Sequence, residues 1–383
     1  MTELQASRES ASDANLKTVQ LVRLISRIGP DIPEIARRLD QYKESVRYRY
    51  KNKLLAKGLA VQAIVDHEKL GLQRIILVVD FADELIPHAK EIALAMNELC
   101  YVVSYAKTVP DGHFLINASV PQEHVAGFID LFAELRRRGV FKSVESSTFE
   151  WYRNIPMRAE SYDFGMGRWD FDWTLPTQRG AEAALYTPSP REKFDYTDLL
   201  ILKEIHVSAD RPLVEIARKL KVSYKMLAWH YVNHVVRRPL IKGYRINWMG
   251  TWYDYKMQKG LHRRHSYIFL NILARDLTDF QRMSLMSTLG ELPFLWAEAV
   301  GRDYHAQIAL PINYVAEGLE FIQKALEPIR GNAKCYIEDT ADALAFTFSY
   351  QLYDGDSKKW LWNPRNVLGG FENLMMKIKE GTG

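Results

Sequence analysis

Residues 34–39 read EIARRL, and residues 215–220 read EIARKL. Chance can produce one such hexamer, but here the apolar and aromatic positions that follow also correspond at the same offset. The matched pairs are Val46 with Leu227, Tyr50 with Tyr231, Asn52 with Asn233, and Leu54 with Val235. A match that keeps its register over this length indicates that one structural unit occurs twice along the chain.

Two further correspondences lie downstream of the hexamers. Val120-Pro121 parallels Leu310-Pro311, and the aromatic stretch 162–169 parallels the stretch 353–360. Because the offset grows along the chain, we expect insertions in the loops, where added residues are tolerated. Residues 176–192 contain a Pro-Ser-Pro sequence, which places the boundary between the two units in this segment.

The composition is that of an ordinary globular protein, with 47% hydrophobic and 26% charged residues among 383. This length predicts roughly two to four domains. There is no apolar run of about 18 residues, which predicts no membrane span, and the N-terminus lacks the basic-then-apolar order of a signal peptide. Cys100 and Cys335 form neither a disulfide framework nor a zinc motif. We therefore expect a cytoplasmic protein without a cofactor.

Each unit begins with a pattern of three helices. In the first unit, helical spacing from Leu16 to Ile28 ends at Gly29-Pro30, a short second helix follows, and a longer third helix stops at Gly58. Alternating residues of a β-wing come next. A short middle helix, a tight turn and a basic third helix indicate a winged helix-turn-helix.

The pattern then changes to strand, helix, strand, strand, helix, strand, over residues 74–148 in the first unit and 267–338 in the second. This order is typical of a ferredoxin-like βαββαβ domain, whose helices cover one face of an antiparallel sheet. The predicted fold class is therefore α+β, with two tandem repeats, each a winged helix-turn-helix followed by a ferredoxin-like domain. Because the bare face of each sheet must be covered, we expect the two sheets to pack against each other.

These patterns divide the chain into six segments. They are a winged helix-turn-helix (14–68), a ferredoxin-like domain (70–150), an aromatic-rich linker (151–192), a second winged helix-turn-helix (193–262), a second ferredoxin-like domain (264–350), and a C-terminal tail with a predicted helix (351–383). We expect the two units to form an intramolecular pseudo-dimer, or to be repeated in a homodimer.

The order of these modules resembles the Lrp/AsnC (feast/famine) family of transcription regulators. The resemblance rests on EIARRL and SVRYRYKNKLLAKGL (45–59) in the first unit, on EIARKL and IKGY (241–244) in the second, and on residues 300–304, which are similar to a turn of the family. It implies DNA binding and a small-molecule effector such as an amino acid. Gly301, Asp303 and Tyr304 are the candidate effector-binding residues, and a plain β-hairpin turn is the alternative there.

Charge supports the DNA-binding interpretation. From Gln41 to Gly58 there are six basic residues and one acid, and from Arg218 to Arg245 there are eight basic residues and no acid. A helix fits the major groove, where basic and polar side chains reach phosphates and base edges. The candidate DNA-binding residues are Lys43, Ser45, Arg47, Tyr48, Arg49, Lys51, Asn52 and Lys53 in the first unit, and Lys225, Trp229, His230, Asn233 and Arg237 in the second.

His230 and His234 have a spacing that zinc ligands also use. The third helix offers no further ligand and contains no glutamate. The sequence therefore predicts no metal site and no catalytic residue.

Three alternative functions stay open. Siroheme decarboxylases resemble the same family fold, and the stretch from Arg245 to Trp252 is similar to one of their regions, with His230 or His262 as acid–base candidates. An architectural protein would bind DNA without sequence preference, and a sensor would have lost DNA binding. The favoured prediction is a sequence-specific transcription regulator that binds double-stranded DNA and is not an enzyme.

Overall fold

The chain forms a series of helices whose apolar sides are buried. The computed structural model describes residues 3–58, 60–174, 189–247 and 267–381. Within these ranges, no helix is both long and apolar enough to cross a membrane. The α-helices are α1 (Glu3–Ile28), α2 (Ile32–Leu39), α3 (Lys43–Tyr48), α4 (Ala89–Leu99), α5 (Val125–Arg137), α6 (Tyr196–Val207), α7 (Leu213–Leu220), α8 (Tyr224–His230), α9 (Asp279–Gly290), α10 (Val315–Leu326) and α11 (Pro364–Gly381).

The two three-helix heads, α1–α3 and α6–α8, repeat each other in detail. Asp40 ends α2 in the left-handed conformation with φ 50°, and Lys221 ends α7 in the same way with φ 56°. Each third helix then continues as a π-helical segment, over Arg49–Leu54 in the first head and Tyr231–Val236 in the second. The repeated sequence therefore produces the same local backbone twice, including its irregular parts.

Most strands belong to one ten-stranded sheet. The strands are β1 (Ala60–Val65), β2 (Leu72–Phe81), β3 (Val102–Val109), β4 (Phe114–Pro121), β5 (Phe141–Phe149), β6 (Trp151–Asn154), β7 (Tyr162–Asp163), β8 (Arg168–Trp169), β9 (Ile241–Asn247), β10 (Tyr267–Ala274), β11 (Leu295–Val300), β12 (Tyr304–Pro311), β13 (Ala333–Glu338), β14 (Leu344–Ala345), β15 (Tyr353–Asp354) and β16 (Lys359–Trp360). The spatial order is β5-β2-β4-β3 in the first half of the chain and β13-β10-β12-β11 in the second half. Each half therefore arranges its four main strands in the same spatial order.

The two halves of the sheet meet both along an edge and across their faces. Strand β13 pairs with β3, with Ile337 opposite Val109, and this pairing makes one continuous sheet of the two. The faces that carry no helices also meet, across the apolar side chains of Ile76, Val78, Leu115, Phe149, Leu273, Ala299 and Tyr336. The sequence predicts two separate sheets, and the structure joins them along one edge. An exposed edge leaves backbone groups without hydrogen-bond partners, and the pairing of β13 with β3 supplies those partners.

The strands that follow the two three-helix heads pair with each other. Strands β1 and β9 are antiparallel, from Ala60 opposite Asn247 to Val65 opposite Ile241. The end of α1 approaches this small sheet closely. Gly29 has φ +77°, and a Cβ atom at this position would lie 2.6 Å from the ring of Tyr244 in β9. Glycine meets both requirements, because it tolerates the left-handed conformation and leaves room for the ring.

The aromatic stretch that follows each half packs on the other half. Strand β6 extends the sheet beyond β11, and Trp169 in β8 lies 4.9 Å from Phe294, measured between ring centroids. In the reverse direction, β14 pairs with β3, and Trp360 and Trp362 lie 6.1 and 6.3 Å from Tyr101. The C-terminal helix α11 also packs on the first half, against α4 and α5. Each half is thereby covered by residues from the other.

The contact between Gly29 and Tyr244 predicts the cost of a methyl group. Gly29→Ala introduces both a left-handed alanine and a clash with a buried ring, whereas Gly139→Ala introduces the same backbone strain (φ +77°) into open space. We expect about 1 kcal/mol of lost stability for Gly139→Ala and about 1–3 kcal/mol more for Gly29→Ala. Urea unfolding of both variants measures the difference, and equal losses would show that the α1–β9 contact does not constrain this position.

Candidate functional site

Five arginine and histidine side chains gather where the β1–β9 sheet meets the helix-free face of the large sheet. We call this group the arginine–histidine cluster. It consists of Arg74, Arg245, His67, His206 and His305, which influence one another's charge. They lie on β2, on β9, in the turn after β1, on α6 and on β12 respectively. Both halves of the chain therefore contribute to the cluster.

Arg74 is a buried cation without an acidic partner among the described residues. Its neighbour Ile75 faces the helix-covered core, so the alternation of β2 turns Arg74 to the opposite face, where the residue is 8% exposed. Its guanidinium carbon lies 3.9 Å from the centre of the Tyr152 ring. Its buried Nε has no hydrogen-bond partner. Burial lowers the pKa of Arg74, but guanidinium groups start so high that the side chain stays charged.

Arg245 places a second buried guanidinium in the cluster. In β9 its neighbours on either side point into the apolar core, so Arg245 points the other way. It donates hydrogen bonds to Asn154 at 2.8 Å and to Gln62 at 3.2 Å, and it stacks 3.9 Å above the ring of Trp296. Burial lowers the pKa of Arg245 to about 10, so it is positively charged at neutral pH.

The three histidines are held neutral by their surroundings. His206 donates from Nδ1 to the carbonyl of Ala63 at 3.1 Å, and burial followed by the charge of Arg245 lowers its pKa to about 4. Burial and then Arg74 lower the pKa of His67 well below its ordinary value. Burial and Arg74 also lower the pKa of His305 to about 3, and its Nδ1 has no hydrogen-bond partner.

Two glutamates in the same region are already engaged with other groups. Glu298 forms an ion pair with Arg153 and accepts a hydrogen bond from Tyr304 at 3.1 Å. Glu338 accepts hydrogen bonds from Asn271 at 2.7 Å and from Gln307 at 2.9 Å. Neither carboxylate bonds to Arg74, so these acids do not neutralise it.

This arrangement favours an anionic ligand. A charge that is buried without a counter-ion is costly, so a ligand that supplies negative charge is stabilised beside Arg74. Guanidinium groups match the two oxygens of a carboxylate. Flat aromatic rings, Tyr152 and Trp296, lie beside the charges. Trp296 also lines an apolar cleft with Met157, Ile246 and Phe294. These features are chemically complementary to an organic ligand that has carboxylates and a flat apolar body.

The predicted DNA-binding residues of the first unit lie on an accessible helix. Val46 and Leu54 anchor its inner side in the core. Arg47 is partly exposed beside Glu44, and Arg49 donates a hydrogen bond to Gln41 at 2.9 Å. The remaining candidate DNA-binding residues of this helix are all exposed: Lys43, Ser45, Tyr48, Lys51, Asn52 and Lys53.

The second unit differs from the prediction at one position. Lys225, Trp229 and Arg237 are exposed, and Asn233 donates back to the Trp229 carbonyl at 2.9 Å. The sequence predicts that His230 contacts DNA, but its Nδ1 lies 2.9 Å from the buried carboxylate of Asp198. The buried acid on α6 holds this imidazole on the inner side, so His230 does not point away from the protein.

The predicted effector residues form a tight hairpin. The amide of Gly301 donates to the carbonyl of Asp303 at 2.9 Å, and Tyr304 is fully buried. A Cβ atom at Gly301 would lie 3.0 Å from the carbonyl oxygen of Thr148. This close packing against β5 leaves no open pocket at Gly301, and the geometry is that of the alternative considered from the sequence, a β-hairpin turn.

Sequence reasoning did not select Arg74, His67, His206 or His305. The available signal was a charged residue inside an apolar strand, since Arg74 precedes the run IILVV (75–79) in β2. Arg245 opened the stretch that resembles the decarboxylases. The rest of that stretch, from residue 248, and His262 lie outside the described residues.

Comparisons with known proteins return long matches to solved structures. No protein-family model matches the chain, and no curated protein matches it by sequence. The crystal structure of the siroheme decarboxylase NirDL matches with a TM-score of 0.52 and 9% identity over 93% of this chain and 99% of that one. Its complex with an iron-uroporphyrin III analogue matches with a TM-score of 0.50 and 9% identity, over 97% and 100%. At this identity the matches show a shared fold.

A shorter match involves a regulator. The AsnC family transcriptional regulator from Agrobacterium tumefaciens covers 34% of this chain and 86% of its own, with 14% identity and a TM-score of 0.27. The prediction that the chain is not an enzyme is wrong, because the structures that match it over nearly its full length are those of an enzyme. At 9% identity the long matches establish the fold, and they do not by themselves establish the reaction.

The lowered pKa of His305 predicts how stability depends on pH. Between its folded pKa of about 3 and its ordinary value of 6.5, only the unfolded chain binds a proton at this site. The free energy of unfolding therefore falls as pH is lowered through this window, by about 1.4 kcal/mol per pH unit for this histidine. We expect His305→Gln to make the slope between pH 6.5 and 4 shallower by about that amount.

Urea unfolding at several pH values measures this slope. Ser147→Ala is the matched control, because Ser147 is buried in the same region and does not titrate. It should lower stability equally at every pH. A His305→Gln slope equal to that of the unmodified protein would contradict the assignment of a neutral, buried His305.

Proposed function

We propose that this chain is an enzyme that binds a polycarboxylate tetrapyrrole in the arginine–histidine cluster and removes carboxylate groups from it. The observation that carries this proposal is the buried guanidinium of Arg74, which has no acidic partner among the described residues. A tetrapyrrole brings several carboxylates and a flat apolar ring system. A solved structure that shares the fold over 93% of this chain is that of a siroheme decarboxylase, which makes this substrate class the one to test first.

The cluster suits the two requirements of a non-oxidative decarboxylation. The substrate carboxylate must be held while the bond to carbon breaks and CO₂ leaves with its two oxygens. The electron pair then stays on carbon and takes up one proton. Arg74 and Arg245 would hold carboxylates of the substrate. His67 and His206 are partly exposed members of the cluster, and a bound anion raises the pKa of a nearby imidazole, so they are our candidates for the proton donor.

We further propose that the chain is built as the sequence suggested, from two winged helix-turn-helix modules and two ferredoxin-like domains. The repeated strand order, the repeated left-handed caps and the paired β-wings support this division. The two units would then form an intramolecular pseudo-dimer, and the cluster lies where they join. Such a site exists only when both units are present on one chain or in one dimer.

A second candidate function is binding of double-stranded DNA by the third helix of the first unit. Lys43, Lys51 and Lys53 are exposed there, and no ion pair joins them to an acid among the described residues. Tyr48 is 61% exposed on the same helix. Basic side chains on an accessible helix are what contact with phosphates requires. This function is compatible with an enzymatic one, because the cluster and this helix are separate surfaces.

Replacing Arg74 tests the proposed substrate site. We expect Arg74→Gln to weaken binding of iron uroporphyrin III by about 10- to 100-fold, since a hydrogen bond between charged groups contributes about 1.5–3 kcal/mol. The measurement is a titration followed by the visible absorbance of the porphyrin. Arg275→Gln is the matched control, because Arg275 already pairs with Glu145, and it should bind like the unmodified protein.

Two outcomes would overturn this function. One is an unmodified protein that does not bind the porphyrin, or that binds its methyl ester equally well. The other is unchanged affinity in a folded Arg74→Gln variant. Loss of CO₂ from siroheme, followed by mass spectrometry, then tests the reaction itself.

Replacing two cations of the third helix tests DNA binding. We expect Arg47→Ala/Lys51→Ala to weaken binding of duplex DNA and to reduce the slope of log affinity against log salt by about 2, one for each lost phosphate contact. Lys90→Ala/Lys377→Ala removes two exposed cations elsewhere and should leave the slope unchanged. Equal effects in both double variants would show that the third helix has no special part in DNA binding.

A further inference from the structure

A second cluster of titratable side chains lies in the second three-helix head. Asp195 and Asp198 stand at the start of α6, and His230 and His234 project towards them from the third helix. Each of the four residues offers one ligand atom, and these atoms all lie within 4.8 Å of one another. We propose that these four side chains bind a divalent transition-metal ion, with zinc as the preferred ion.

The distances between the facing atoms suit a tetrahedral site. The Nδ1 atoms of His230 and His234 lie 2.9 and 3.0 Å from Asp198 Oδ1. The same atoms lie 3.7 and 3.9 Å from Asp195 Oδ2. Zinc bonds of about 2.0–2.1 Å to nitrogen and oxygen place tetrahedral ligand atoms roughly 3.3 Å apart. The four distances lie on both sides of this value, so small side-chain movements are enough to admit the ion.

The two aspartates are already oriented by the helix they cap. Asp195 Oδ1 accepts a hydrogen bond from the Asp198 amide at 3.1 Å, and Asp198 Oδ2 accepts one from the Asp195 amide at 2.9 Å. Asp195 therefore uses one oxygen for the capping box and directs the other towards the histidines. Asp198 directs Oδ1 towards both histidines, and its Oδ2 also lies 2.9 Å from Nδ1 of His234. In metal sites, hydrogen bonds of this kind fix the orientation of the side chains that bind the ion.

The surroundings limit access of water to the four ligands. Asp198 is fully buried, and the side chains of His230 and His234 are 13% and 12% exposed. The ring of Trp229 packs on both imidazoles, with centroids 5.2 and 4.8 Å away. Two imidazoles and two carboxylates favour zinc, cobalt, nickel or copper over magnesium and calcium, which prefer oxygen ligands alone.

The first head does not repeat this ligand set. At the offset that aligns Val46 with Leu227, His230 and His234 correspond to Arg49 and Lys53. Two cationic side chains at these positions repel a metal ion. The proposed site therefore belongs to the second head, where an ion would join the third helix to α6 and fix the orientation of the exposed Trp229 (54% exposed).

Metal analysis of the full-length protein tests this proposal. Every protein in this experiment is given the substitution Cys335→Ser, which removes an exposed thiol that zinc would also bind. Metal is first removed with a chelator, and zinc binding is then measured by equilibrium dialysis. We expect the histidine-intact protein to bind one zinc ion more per chain than the His230→Gln/His234→Gln variant. Glutamine keeps a hydrogen-bond donor next to Asp198 but is a poor zinc ligand. His88→Gln, a histidine outside both clusters, is the matched control and should retain the ion.

Two further readouts do not depend on the variant folding well. Zinc should raise the midpoint of thermal unfolding of the histidine-intact protein, and cobalt should give the visible bands of a tetrahedral site with nitrogen and oxygen ligands. Equal metal content in the histidine-intact and double-variant proteins would overturn the proposal. So would a histidine-intact protein that takes up no zinc, or a cobalt spectrum of octahedral type.

Discussion

The structure depends on a mutual requirement: each half of the chain has sheet edges and apolar faces that the other half completes. Strand β6 leaves the first half and pairs with β11, while β14 leaves the second half and pairs with β3. Strands β1 and β9, which follow the two three-helix heads, also pair with each other. Buried backbone groups need hydrogen-bond partners, and unpaired strand edges favour unwanted association. The exchange satisfies both needs within one chain.

This exchange explains why the candidate site lies where it does. Arg74 comes from the first half and Arg245 and His305 from the second, and Tyr152, over which Arg74 stacks, belongs to the exchanged strand β6. Burying guanidinium groups opposes folding, so a fold selected for stability alone would fill these positions with apolar side chains. Buried charge at the junction between two halves is typical of a functional site.

The two third helices have the same backbone and different chemistry. Val46 and Leu227 anchor them in the same way, and both contain a π-helical segment at the same register. In the first helix the corresponding positions carry Arg49, which donates a hydrogen bond to Gln41, and the exposed Lys53. In the second they carry His230 and His234, which turn back towards Asp198. The two helices therefore share the packing of their apolar side and differ in their polar side chains.

The sequence by itself determined the order of helices and strands in each half and the apolar residues that each third helix buries, and it suggested that the two halves repeat each other. These features follow from local spacing, because the period of apolar residues distinguishes helix from strand and the buried from the exposed side. The tertiary structure alone decided that β13 joins β3, that the aromatic stretches cross between the halves, and that Arg74 and His67 meet His206 and His305. These residues are far apart along the chain, and a single sequence carries no local signal for contacts between distant strands. The same reason applies to Asp195 and Asp198: the spacing of the two histidines was visible in the sequence, but the acids that face them come from another helix.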